Sequence, residues 1–147
     1  MRELVVLLAV IALGAWCVWS AWSAVVAVKW LRTGEWRRPR WWVHVASALL
    51  FADVVVWLRG AFAGGLDAEK TCRFADHTVY DRSYRERHPD ESGRLFPLHN
   101  KCNAHHDLVP AWVNPTVVAL TLCILVALCG ALWSVTDRRK SHAGSTH

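Results

Sequence analysis

The chain has 147 residues, of which 54% are hydrophobic, and it carries a formal net charge of +5 at pH 7. Its apolar residues form three long blocks, whereas a soluble domain spreads them along each strand or helix at a period of 2 or 3.6 residues. This composition excludes an ordinary soluble domain and predicts an integral membrane protein that contacts the lipid bilayer. The basic residues flank the apolar blocks, so nucleic acid is not expected as a partner.

Each of the three apolar blocks is long enough to cross a bilayer. Residues 4–28 and residues 109–135 contain no charged side chain, and residues 41–62 contain only Asp53 and Arg59. A helix needs about 20 apolar residues to cross roughly 30 Å of hydrocarbon. We therefore predict transmembrane helices over residues 4–28, 41–62 and 111–135. The first block exceeds the apolar run of about 7–15 residues in a signal peptide, so we expect it to be retained.

The distribution of Lys and Arg predicts the orientation of the chain. The short first connection, residues 29–40, has five basic residues and one acid, and the tail, residues 136–147, has three basic residues. Because short basic segments stay on the cytoplasmic side, we predict a multi-pass protein of the cell (plasma or inner) membrane with its N-terminus outside and its C-terminus inside. The long loop, residues 63–110, is then extracellular, and its seven basic residues are offset by eight acids.

Two of the five cysteines, Cys72 and Cys102, fall in this long loop. In an oxidising compartment an isolated pair favours a disulfide, which would stabilise the loop by roughly 3–4 kcal/mol in the chain-entropy model. Tyr80 and Tyr84 have helical spacing and predict a short helix with one apolar edge, which the turn signal HPDESG ends. The predicted fold is thus all-α, with three transmembrane helices and a disulfide-closed extracellular loop that forms a small cap.

The stretch LHNKCNAHHD in the same loop has the spacing H-x2-C-x2-H-H, and it raises the alternative of a metal site. Zinc and copper both accept imidazole and thiolate ligands. The candidate ligands besides Cys72 and Cys102 are His77, His99, His105 and His106. We favour the disulfide because an extracellular thiolate is disfavoured, so no cofactor is expected. A copper or zinc site made of histidines alone, and simple solvated histidines, are the alternatives left open.

Asp53 is the only acid inside a predicted span. Such a carboxylate is costly in the bilayer and usually faces protein or water. One interpretation is a proton or cation relay, or an anchor for a basic residue of a partner. The other is a structural carboxylate, hydrogen-bonded at matching depth to Ser20, Thr121 or the indole of Trp19. We favour the structural interpretation, because one acid with no paired base makes a poor relay.

The catalytic signatures C-x-x-C, G-x-S-x-G and H-E-x-x-H are missing from the sequence, as is a phosphate-binding glycine loop, so an enzyme is not expected. The preferred hypothesis is a small polytopic membrane protein that acts through interaction, as a subunit, accessory or immunity-type protein. Its partner would be a second copy of the chain or a larger membrane protein. The alternatives are an extracytoplasmic copper or zinc sensor or chaperone built on His99, Cys102, His105 and His106, and a proton- or ion-coupled component centred on Asp53.

Overall fold

The computed structural model describes residues 2–65 and 67–143, and it contains three long helices with three short ones between the second and the third. The long helices are α1 (Arg2–Arg32), α2 (Pro39–Ala61) and α6 (Val113–Ala143). All three are long and apolar enough to cross a membrane. The three helices predicted from the apolar blocks are therefore confirmed.

The first connection is shorter than predicted, because both helices beside it extend into the range 29–40. Helix α1 continues to Arg32, and its last turn holds Lys29 and Arg32, where cations interact favourably with the helix dipole. Gly34 then adopts a positive φ of 77°, a conformation that glycine accepts without a Cβ clash. A 3₁₀ turn, Glu35–Arg37, follows, and Pro39 opens α2 at a position that needs no N–H donor.

Helix α6 begins two residues after the predicted residue 111. Pro115 lies in its first turn, as the sequence indicates, since proline is tolerated there. The helix continues to Ala143, so most of the predicted tail, residues 136–147, extends the third span as helix. Residues 144–147 lie outside the described residues.

The segment between α2 and α6, residues 62–112, is here called the cap. Its helical elements are α3 (Ala68–Lys70), a π-helical turn (Thr71–Ala75), α4 (Arg82–Arg87) and α5 (Pro89–Gly93). They are followed by two short strands, β1 (Lys101–Asn103) and β2 (His106–Asp107). The two strands pair antiparallel, with Lys101 opposite Asp107. The all-α prediction missed this hairpin, because strands of two or three residues are too short to show a period of 2.

The helix predicted from the spacing of Tyr80 and Tyr84 starts later than expected. Asp81 caps α4, since its carboxylate accepts a hydrogen bond from the Tyr84 backbone N–H at 3.0 Å. Tyr80 therefore lies before the helix and packs beside the disulfide. The HPDESG stretch ends α4, as predicted, but Pro89 then starts α5 at its first position, where proline is favoured.

The chain divides into two compact units, one of residues up to 52 together with those from 120 onward, the other of residues 53–119. In the first unit, the Trp41 indole N–H donates to the Ala27 carbonyl oxygen at 2.8 Å. A Cβ at Gly130 would lie 2.7 Å from the Trp42 ring, so glycine lets α6 approach this indole closely. Small residues commonly serve this purpose where membrane helices pack.

The second unit contains the cap and has two buried apolar clusters. One is formed by the two cap cysteines and Leu108. The other is formed by Leu98, Val109 and Val113, with Trp57 and other partly buried residues of α2 and α6 around it. Ala63 contacts both clusters. The second cluster thus packs the cap against helix ends that belong to the same unit.

Candidate functional site in the cap

Cys72 and Cys102 form a disulfide, with Cα atoms 5.8 Å apart. Both cysteines are fully buried, and Leu108 and Tyr80 pack around them. The bond joins the π-helical turn to β1. The predicted disulfide is confirmed, and Cys17, Cys123 and Cys129, on the long helices, are free thiols.

Asn103 closes the turn between β1 and β2. Its side-chain Oδ1 accepts hydrogen bonds from the backbone N–H groups of His105 and His106 at 2.9 and 3.1 Å. Its Nδ2 donates to the Val79 carbonyl oxygen at 2.9 Å. The stretch NAHH is therefore a turn held by an asparagine. This role of Asn103 was not predicted, although asparagine at the start of a turn is a recognised signal.

His99 is held by Asp107 across the hairpin. Its Nδ1 lies 2.7 Å from Asp107 Oδ2, and because an ionised carboxylate only accepts hydrogen bonds, Nδ1 carries the proton. The other oxygen of Asp107 accepts from the backbone N–H groups of Asn100 and Val109, both at 2.9 Å. The carboxylate thus fixes the imidazole on a rigid part of the cap.

The four histidines proposed as metal ligands have separate roles. His106 Nε2 lies 2.8 Å from Asp76 Oδ2, which ties the hairpin to the residue after the π-helical turn. His105 and His77 are exposed, and His77 has a positive φ of 50°. Within residues 2–65 and 67–143, no three His, Cys, Asp or Glu side chains form a group that could hold a metal ion. With Cys102 in a disulfide, the copper or zinc hypothesis keeps only its histidines and stays a prediction.

Arg85 anchors α4 to the first strand. Its Nη1 donates to Asn100 Oδ1 at 2.7 Å and to the Lys101 carbonyl oxygen at 3.1 Å. The same guanidinium lies 5.8 Å from the centre of the Tyr80 ring, within the range of a cation–π contact. These contacts use a charged side chain as a structural tie within the cap.

Glu91 lies at the centre of a second polar network. Its Oε2 accepts a hydrogen bond from the Tyr84 hydroxyl at 2.9 Å and lies 3.1 Å from Lys101 Nζ. The Tyr84 hydroxyl and then the Lys101 ammonium hold the pKa of Glu91 below its usual range. The hydrogen bond to Glu91 and, to a smaller extent, the one to Tyr84 raise the pKa of Lys101. This network joins α4 and α5 to β1.

The lowered pKa of Glu91 predicts an acid-dependent loss of stability. A group whose pKa is lowered on folding stabilises the protein above its unfolded pKa, and that stability is lost as the pH falls through the folded pKa. We expect the thermal midpoint of the wild type to exceed that of Glu91→Gln at pH 7, and the gap to shrink below about pH 4.3. Glu86→Gln, on the exposed face of α4, is the control and should follow the wild type. A gap that is independent of pH would contradict the prediction.

Asn114 connects the first turn of α6 to the cap. Its Oδ1 accepts from the Leu98 backbone N–H at 2.9 Å, and its Nδ2 donates to the Leu98 carbonyl oxygen at 3.0 Å. One amide side chain thus satisfies both backbone groups of a residue that is 4% exposed. Buried backbone groups need such partners. The sequence gives Asn114 only as a residue near the start of a helix, so this role was not predicted.

The polar residues predicted inside the spans lie in different surroundings. Ser20 is buried, and its Oγ makes no hydrogen bond within the described residues. Thr121 is exposed on α6, and Asp53 is half-buried on α2. The structural and functional interpretations of Asp53 both remain predictions.

His44, near the start of α2, forms a contact with α1 that the sequence did not indicate. Its Nδ1 lies 3.1 Å from the Oγ of Ser23, and its ring lies 5.7 Å from that of Trp30 and 5.9 Å from that of Trp19. A Ser–His pair is a familiar nucleophile and base. Ser23 is completely buried, however, so a substrate would have no access to its hydroxyl. The pair is best explained as a polar contact between α1 and α2.

Comparisons with protein-family models, with curated proteins and with solved structures found no match to this chain. Its function has to be inferred from its own geometry. In the cap, the polar side chains of His99, His106, Arg85 and Glu91 hold the framework together through the contacts described above. Such an arrangement is suited to presenting a rigid surface.

Proposed function

We propose that the protein acts through interaction, as a subunit, accessory or immunity-type protein that binds another membrane component through its cap. One observation carries this proposal: the cross-linked cap displays large apolar side chains to solvent. Phe74 is 75% exposed and Val79 is 78% exposed, on either side of the turn that leads away from Cys72. Exposed apolar groups on a rigid framework outside the spans are typical of contact surfaces.

The cap would face the outside of the cell, with the N-terminus outside and the C-terminus inside. The disulfide supports this orientation, because such bonds persist in oxidising compartments. The basic residues around the short first connection support it as well, since they favour the cytoplasmic side. The partner would be a second copy of the chain or a larger membrane protein.

Crosslinking on intact cells tests the function and the orientation together. A membrane-impermeant amine crosslinker added outside reaches Lys70 and Lys101 only if the cap faces outward, and we expect it to give discrete bands of higher mass. The double variant Phe74→Ser/Val79→Ser should lose most of these bands. Leu95→Ser, which removes a cap side chain of similar exposure, 74%, should keep them.

Three results would count against the proposal. Monomer alone over a wide range of crosslinker concentration, with Lys70 and Lys101 shown to be modified, would remove the interaction. Equal loss of bands in Leu95→Ser and in the double variant would show that Phe74 and Val79 are not the specific contact residues. Failure to modify either lysine in intact cells, with modification after lysis, would reverse the orientation.

A further inference from the structure

A cavity of about 190 Å³ lies between the last turns of α2 and the segment that precedes β1. The α2 residues in its wall are apolar, and the segment before β1 contributes its polar residues together with two leucines. The residues that matter for its chemistry are Trp57, Ala61, Leu98, Arg94, His99 and Asn100. The described residues that line it include no acidic side chain, so its polar side carries net positive charge from Arg94.

Arg94 differs from the other arginines of the cap because it makes no ion pair or hydrogen bond within the described residues. Arg73 is paired with Glu69 at 3.1 Å, and Arg85 is held by Asn100. A guanidinium has five N–H donors in a planar fork that matches phosphate oxygens in two-point contacts. The one uncommitted arginine of the described cap thus borders a cavity that can accept an anion.

Two further polar groups in the wall are fixed in place. Asp107 holds the His99 ring through Nδ1, which leaves Nε2 without a partner within the described residues. Arg85 occupies Oδ1 of Asn100, and the amide NH₂ of Asn100 has no acceptor in the same part of the chain. Groups held in position in this way lose little conformational freedom when a ligand binds.

The apolar side of the cavity belongs to the end of a membrane-crossing helix. Trp57 and Ala61 lie in the last two turns of α2, and the Trp57 indole N–H donates to the Leu95 carbonyl oxygen at 3.0 Å, so the ring itself forms wall. Tryptophan at a span end lies at the level of the lipid headgroups. A ligand here can therefore place a charged group on Arg94 and an apolar group toward α2.

We propose that this cavity binds a phosphate group, carried either by a phospholipid headgroup or by a free phosphate. Arg94 supplies the charge and the two-point contact. Asn100 adds a neutral donor, and the fixed His99 ring closes the polar side. The site goes beyond the interaction proposed for Phe74 and Val79, and neither of those residues lines it.

Binding to the purified full-length protein in a neutral maltoside detergent tests the site. The probes are inorganic phosphate, dioctanoyl phosphatidic acid and dioctanoylglycerol, which lacks only the phosphate. Arg94→Gln should weaken binding about tenfold or more, as expected for the loss of a charge-assisted hydrogen bond. Arg59→Gln is the matched control, because it removes the same charge from the end of α2 outside the cavity, and it should stay within about twofold.

A second variant guards against misfolding of the first. Ala61→Leu adds bulk to the cavity without changing charge, and it should also weaken binding. Saturation by phosphatidic acid alone assigns the site to a lipid headgroup, and saturation by inorganic phosphate assigns it to a free phosphate. Equal binding of dioctanoylglycerol, equal effects of Arg94→Gln and Arg59→Gln, or no saturable binding of either phosphate probe would overturn the proposal.

Discussion

Removing the disulfide is expected to lower the stability of the cap by about 2–5 kcal/mol, the usual range for a native bridge in a small domain. The double variant Cys72→Ala/Cys102→Ala tests this, because alanine adds no hydroxyl to two fully buried positions. The bridge closes a loop with a sequence separation of 30 residues. Without the bridge, the unfolded loop has more conformational freedom, so folding the cap costs more conformational entropy.

Limited trypsin digestion in detergent and thermal unfolding followed by near-ultraviolet circular dichroism measure this loss. Arg73, Arg82 and Arg87 are exposed cleavage sites in the cap, and they should be cut faster in the variant. Cys17→Ala/Cys129→Ala removes two free thiols from the long helices and is the control. Unchanged digestion and melting in Cys72→Ala/Cys102→Ala would show that the apolar clusters and ion pairs hold the cap without the bridge.

The long helices and the disulfide could be predicted because each depends on a simple physical signal. A run of more than 20 apolar residues has few alternatives to a membrane-crossing helix. Two cysteines in one loop, Cys72 and Cys102, had only each other as partners there. The helix ends were less predictable, since residues 29–32 include the charged Lys29 and Arg32, and residues 136–143 are mostly polar, yet both segments continue their helices.

The cap could not be predicted in detail, because its contacts join residues that are distant along the chain. His106 meets Asp76, 30 residues earlier, and Arg85 meets Asn100, 15 residues later. Residue spacing alone grouped His99, His105 and His106 as possible ligands. In the folded hairpin, however, His99 contacts Asp107 and His106 contacts Asp76, so the two histidines have different carboxylate partners. No sequence pattern distinguished Arg94 from the other arginines of the cap. In the structure it differs because those arginines are already paired, whereas Arg94 has no such partner within the described residues.

Replacing Asn114 by alanine is expected to destabilise the second unit by about 2–4 kcal/mol, because each unsatisfied buried polar group costs about 1–3 kcal/mol. The variant removes both hydrogen bonds to Leu98 and leaves a buried N–H and a buried carbonyl oxygen without partners. Water has little access to them, since Leu98 packs against Val109 and Val113. The loss should therefore exceed that of an ordinary surface substitution.

Hydrogen exchange localises this effect in a way that a melting curve does not. The Leu98 amide should be protected in the wild type and should exchange much faster in Asn114→Ala. Thr116→Val is the control, because it removes a side-chain hydrogen bond to Trp112 on the same first turn of α6 without touching Leu98, and it should change stability by only about 0.5 kcal/mol. Equal exchange at Leu98 in all three proteins would mean that packing against Val109 and Val113 fixes Leu98. In that case the apolar cluster alone would hold Leu98 in place, and the hydrogen bonds of Asn114 would not be needed for it.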